Sequence, residues 1–158
     1  MRTFVLILFF CDGDATKEEV NRQDAKIAKV RQEPSAPADA VARQVVDAGL
    51  KVHRAFGPGL LESAYEACLA QELHLRGLGV RKQLPRPIEY EGLRLDGVYR
   101  LDLLVDDRVI VEVKAVEALS RLHEAQLITD LKLSGLRLGL LLNFNVRLFK
   151  DGVRRLVG

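Results

Sequence analysis

Apolar residues recur at three- and four-residue steps from Val41 through Val45, Ala48 and Val52 to Phe56, the pattern of one buried helical face. It stops at Gly57-Pro58, a helix terminator. A second helix is predicted from about Leu60 to Arg76, with Leu61, Tyr65, Cys68 and Leu69 toward one side and Gly77 as its stop. Beyond Gly79 the period becomes two. "VRKQLP", "PIEYEG" and "LRLDG" read as short, turn-punctuated strands, and "YRLDLLVDDRVIVEVK" as two more around a polar turn, together a mainly antiparallel meander. Ser120 is placed to cap a third helix, "RLHEAQLITDLKLSG", with Leu122, Ala125, Ile128 and Leu131 turned inward and Gly135 at its end. "LRLGLLLNF" reads as a fully buried strand, and a closing hairpin is expected around Lys150-Asp151-Gly152. The order implies an α/β fold, a mixed, mainly antiparallel sheet flanked by helices.

Upstream the pattern fades. Cys11 to Ala40 is polar and charge-mixed and ends in "EPSAPADA", which reads as a linker, so residues 1–40 are assigned to an N-terminal extension and 41–158 to the folded domain. The apolar run Phe4 to Phe10 just reaches the length of a signal-peptide core. It lacks a small-residue cleavage site and is too short to span a bilayer. No membrane association is expected.

Composition adds limits. A chain of 158 residues, 48% hydrophobic and 29% charged, suits one globular domain. The formal net charge of +2 neither announces nor excludes a polyanionic substrate. Cys11 and Cys68 form no CxxC or Cys/His spacing, which argues against a disulfide framework or zinc site and favours the reducing cytoplasm.

Charge within the strands is the informative feature. Glu112 and Lys114, two apart, share one strand face while Val111, Val113 and Ala115 point to the other. Asp102 joins them only if the turn is odd. A two-residue loop at Asp106-Asp107 aims it away, whereas a three-residue loop, Asp106 to Arg108, sets it opposite Glu112. The chemistry therefore predicts an odd loop or a bulge, with Asp107 left-handed. Two such carboxylates suit Mg²⁺ or Mn²⁺, and a neighbouring lysine can stabilise developing negative charge or orient a water. The spacing equally allows a solvated Glu112–Lys114 ion pair with Asp102 unrelated.

Gly59, Glu62 and Tyr65, within "VHRAFGPGLLESAY", match the G-x-x-E-x-x-Y signature, and the region from Val41 to Val157 resembles the GxxExxY family of the PD-(D/E)XK nuclease superfamily. The resemblance implies a three-layer, restriction-endonuclease-like core with Asp102 and Glu112 as metal ligands and Lys114 as the catalytic lysine. In RecB-like members a helical glutamate adds a ligand, and Glu62 is its counterpart. By itself Glu62 also reads as a charge complementing the helix dipole. Tyr65 is expected to position, not to react. On the third helix Gln126 matches a Q-x-x-x-Y pattern as a ligand-orienting or phosphate-contacting residue, but Asp130 stands where the tyrosine is expected. His123 reads as structural, and Leu101 replaces the proline of the "PD" pair.

The implied function is a Mg²⁺- or Mn²⁺-dependent nuclease acting on nucleic acid, DNA favoured over RNA, with Arg81, Lys82, Arg86, Arg94 and Arg100 as candidate phosphate contacts. The alternative is a catalytically silent binding or interaction module of the same fold. The apolar helices leave room for a homo-oligomer.

Overall fold

The computed structural model describes residues 34–158. The expectations for the first 33 residues, including the Phe4–Phe10 run, lie outside the described residues. Helix α1 spans Ala36–Phe56, α2 Glu62–Leu75, and strands β1 Val80–Tyr90, β2 Leu93–Val105 and β3 Val109–Lys114 follow. Helix α3 covers Arg121–Ser134, β4 Leu138–Asn143, and a short 3₁₀ turn at Phe149–Gly152 leads into β5, Val153–Val157. The strands line up in the order β1-β2-β3-β4-β5. Only β3 and β4 run parallel, with α3 as their crossover, so the sheet is mixed and mainly antiparallel.

The two faces of the sheet bury different cores. On one, Val45, Ala48 and Val52 of α1 and Leu69 and Leu73 of α2 pack on Leu103, Val111, Val113, Leu140 and Leu142. On the other, Leu127 and Leu131 of α3 pack on Leu104, Ile110 and Leu141. This is the three-layer arrangement expected when helices cover both faces. Gly139 makes the second layer close: a Cβ there would stand 2.8 Å from Leu127 Cδ1.

Several local readings change. The "EPSAPADA" segment is not a linker up to Ala40, because Ser35 caps α1 by accepting the Ala38 N–H and Pro37 sits in the first turn, where its missing N–H costs nothing. Leu61 is not on the buried face of the second helix. It precedes Glu62 as the cap residue and is exposed. The three short strand segments are two long ones. Pro85 and Pro87 are tolerated because β1 is an edge strand. Glu91 and Gly92, both at positive φ, close the hairpin, and the extra residues of β2 are absorbed by a register shift between Arg86 and Ile88. Helix α3 is rolled relative to the predicted face: Leu122 and Ala125 are exposed, while Leu127, Asp130 and Leu131 point inward.

Candidate active site

The turn between β2 and β3 has the geometry the site requires. Val105 pairs with Val109 and Leu103 with Val111, leaving Asp106, Asp107 and Arg108 as the loop, with Asp102 the next residue of β2 beyond the last pair. Asp107 is left-handed at φ +52°, and Asp106 likewise at +49°.

At Asp102 the sheet irregularity goes further. Leu101 and Leu103, two apart, should share a face, yet Leu103 belongs to the core under α1 and α2 and Leu101 to the core under α3. The strand rolls over between them. Ladder pairing with β3 ends at Leu103–Val111, and the Asp102 side chain takes the next donor: Val113 N–H donates to Asp102 Oδ2 at 3.0 Å.

Glu112 and Lys114 lie on the α3 face of β3, both mostly buried, with Lys114 Nζ donating to Glu112 Oε1 at 2.6 Å. Glu62 reaches the same ammonium from the first turn of α2, 3.7 Å away, and its other oxygen accepts the Ala115 N–H at 3.2 Å. One amine thus lies between carboxylates from a helix and a strand. Burial and the charge of Asp102 push the Glu112 carboxyl up to about 7, against the pull of Lys114. For Lys114 burial opposes the charge, but Glu112, Glu62 and Asp102 outweigh it and raise its pKa, so the amine stays protonated.

Tyr65 does not face this cluster. It is fully buried, stacks on Phe144 with ring centroids 4.5 Å apart, donates its hydroxyl to Gly57 O at 2.6 Å and accepts Leu60 N–H at 3.1 Å. The hydroxyl clasps both ends of the Gly57–Leu60 loop, where Gly59 takes φ +114°, and so fixes where α2 and Glu62 begin. Gln126 is exposed; its backbone carbonyl accepts the Tyr99 hydroxyl at 3.3 Å. His123 is structural, completing a capping box with Ser120.

Three residues that sequence reading left out, Glu66, Gln83 and Asn143, bear on the site, as does Asp130, which it noted only as standing in the place of a tyrosine. Glu66, one turn after Glu62 on the same helical side, is buried and its carboxyl is raised by burial and by Asp102 and Glu62 against a hydrogen bond from Gln83. The Glu62/Glu66 spacing was the available signal. Gln83 Nε2 donates to Glu66 Oε2 at 2.8 Å and lies 3.4 Å from Asp102 Oδ1. Asp130 is 2% exposed with Oδ1 unpartnered among the described residues, and burial raises its carboxyl to about 6, the Tyr99 hydroxyl opposing and Asp102 adding to the shift. Asn143, opposite Lys114 on β4, ties down the chain after Lys114 through both Val116 N–H and Val116 O.

The donor set fits a hard divalent cation. Carboxylates on β2 and β3 with a third at the edge outnumber the one ammonium of Lys114, and the Glu112 carboxyl, raised by burial first, is raised further by the Asp102 charge. Among the described residues no three His, Cys, Asp or Glu side chains are gathered to hold a metal by themselves. Mg²⁺ does not require such a cage, being commonly held by one or two carboxylates with water and substrate phosphate.

A family model described as the PD-(D/E)XK nuclease superfamily matches residues 39–156, well over half of the chain. The chain belongs to that superfamily, and its mixed sheet between helical layers is the corresponding fold. No significant match is found among curated proteins or among solved structures. No described helix is long and apolar enough to cross a membrane.

Proposed function

We propose that the protein is a Mg²⁺- or Mn²⁺-dependent nuclease of the GxxExxY, RecB-like branch, hydrolysing phosphodiester bonds of DNA in preference to RNA in the cytoplasm. Its working unit is the folded domain that opens at the Ser35 cap of α1 and runs to residue 158. The observation that carries the reading is the protonated Lys114 held 2.6 Å from Glu112 and 3.7 Å from Glu62, with the Asp102 carboxylate tied to β3 through Val113 N–H. Asp102, Glu112 and Glu62 would hold the ion, whose charge offsets that developing on the phosphoryl oxygens. Lys114, kept charged, stabilises the same developing charge and orients the attacking water; it is not a general base. Water attacks phosphorus, the P–O bond to the leaving oxygen breaks, and the water's proton passes to solvent or to the leaving group. Tyr65 positions Glu62 through the loop, and Gln126 on the outer surface of α3 meets substrate at the rim.

The purified chain, incubated with DNA and with RNA in Mg²⁺ or Mn²⁺, is expected to cleave DNA, and Lys114→Ala to abolish cleavage. Equal activity of wild type and Lys114→Ala would reject the reading. One observation favours a silent binding module instead: Lys114 already partly neutralises the acidic cluster. That reading predicts no rise in melting temperature with Mn²⁺, whereas the nuclease reading predicts a saturable one.

A further inference from the structure

Gln83 stands in the interior of β1, opposite Asp102, between the Lys82–Leu103 and Leu84–Leu101 pairs. Its φ is +48°. That left-handed conformation is disfavoured for any residue with a Cβ and persists where the surroundings over-determine it. The strand rolls over at this point. Val80 packs with the core under α1 and α2 and Leu84 with the core under α3, mirroring the roll of β2 at Asp102.

The surroundings of the side chain are two carboxylates. Nε2 donates to Glu66 Oε2 at 2.8 Å and approaches Asp102 Oδ1 at 3.4 Å. The amide has two N–H groups to offer, and the reverse orientation would set its oxygen against two acceptors, so the nitrogen is held toward them. Asp102 is then fixed at both ends, Oδ2 by Val113 N–H and Oδ1 by Gln83.

We infer that Gln83 is a positioning residue: anchored on Glu66, it sets the rotation of the Asp102 carboxylate and so the direction in which that group presents its remaining lone pairs. The inference rests on the nuclease reading for its consequence, tighter capture of the divalent ion. The left-handed backbone is the cost of the device, since it turns Gln83 toward Glu66 and Asp102.

Gln83→Gly separates aim from stability. Glycine adopts φ +48° without strain, which offsets part of the lost hydrogen bond to Glu66 and of glycine's own chain entropy, so the variant is expected to stay folded and melt near the wild-type temperature. Its Mn²⁺ dissociation constant, measured calorimetrically with the metal alone, is expected to rise about 10- to 100-fold, the usual effect of losing a partner that orients a ligand. The Mn²⁺ concentration for half-maximal cleavage should rise in step, with kcat at saturating Mn²⁺ largely kept. A purely structural residue would not weaken metal binding in a variant that stays folded. The inference is overturned if Gln83→Gly binds Mn²⁺ as tightly as wild type. A second readout needs neither metal nor activity: the Gln83 side-chain amide protons should exchange slowly by NMR, one shifting in Glu66→Gln and the other in Asp102→Asn. Exchange at the rate of a free glutamine overturns it. A wild type that binds no Mn²⁺ defeats the nuclease reading, and the amide signals then decide alone whether Gln83 orients Asp102.

Discussion

The carboxylate of Asp102 accepts the backbone N–H of Val113, 3.0 Å away, where the β2–β3 ladder has run out. A side chain thereby completes the hydrogen bonding of a buried strand. Asp102→Ala leaves that N–H unpaired and is expected to cost about 1 to 3 kcal/mol in urea unfolding. Asp102→Asn keeps the acceptor for Val113 N–H and loses the charge and the second acceptor toward Gln83, so it should cost less than Asp102→Ala while losing any Mn²⁺-induced rise in melting temperature. Equal stability of the two variants would mean that the hydrogen bond contributes nothing.

Tyr65 holds the loop before α2 through its hydroxyl and the core through its ring. Tyr65→Phe removes the first and keeps the second. The loss should be about 1 kcal/mol, whereas Tyr65→Ala, which also empties a buried site, should cost about 3 to 5 kcal/mol. Because Glu62 follows directly, Tyr65→Phe is also expected to raise the Mn²⁺ requirement for cleavage. An unchanged requirement would separate the clasp from the site.

The fold was legible because burial writes its period into sequence. β4 is buried along its whole length and reads as a nearly continuous apolar run, while β3, also buried, shows a strand period through the alternation of Val111 and Val113 with Glu112 and Lys114. The odd loop was legible too, since placing Asp102 and Glu112 on one face asks for three residues, Asp106 to Arg108, between Val105 and Val109. The roll of α3 was not: Leu122, Leu127, Leu131 and Leu133 are spread around the helix, and which stripe goes inward is decided by Ile110, Leu141 and the space above Gly139. That roll is what buries Asp130. The Glu66–Gln83–Asp102 chain was hidden for a similar reason, because Gln83 reaches it only through a left-handed residue inside a strand.

Asp130 places an unpartnered carboxyl oxygen in the interior beside α3, with its pKa raised to about 6 by burial first and by Asp102 further. The folded state therefore holds a proton that the unfolded chain releases nearer pH 4. Stability associated with this group is complete below that and is lost as pH rises through 6. Asp130→Asn removes the penalty. It should stabilise the protein by about 1 kcal/mol at pH 8, after allowing for screening by Lys114 and Arg86, and leave it unchanged at pH 4. A destabilised variant at pH 8 would show that the charged carboxylate has a favourable partner.

Divalent metal competes with the Glu112 proton. With that carboxyl at about 7, apparent Mn²⁺ affinity should climb close to tenfold per pH unit below 7 and level off above it. Calorimetric titration from pH 5.5 to 8.5 measures the slope, and a flat profile would remove Glu112 from the set that holds the ion.

Lys114 donates to the Glu112 carboxylate, so deleting the amine should have a cost that depends on pH. The folded-state pKa of Glu112 is raised, which means its contribution to stability is present below about pH 4.5 and lost as pH rises through 7. Lys114 limits that loss by hydrogen-bonding the anion at 2.6 Å, in a place where both side chains are mostly shielded from water. In Lys114→Ala the carboxylate at pH 8 is left buried without its counter-charge, a situation that costs several kcal/mol when burial is complete. Here solvent still reaches both groups, so about 2 kcal/mol is expected at pH 8. At pH 5 the folded protein carries Glu112 mostly neutral, and the same substitution should cost less than about 1 kcal/mol, the loss of one hydrogen bond. Urea unfolding of wild type and variant at the two pH values gives the difference directly, and a penalty independent of pH would show that Lys114 does not neutralise Glu112.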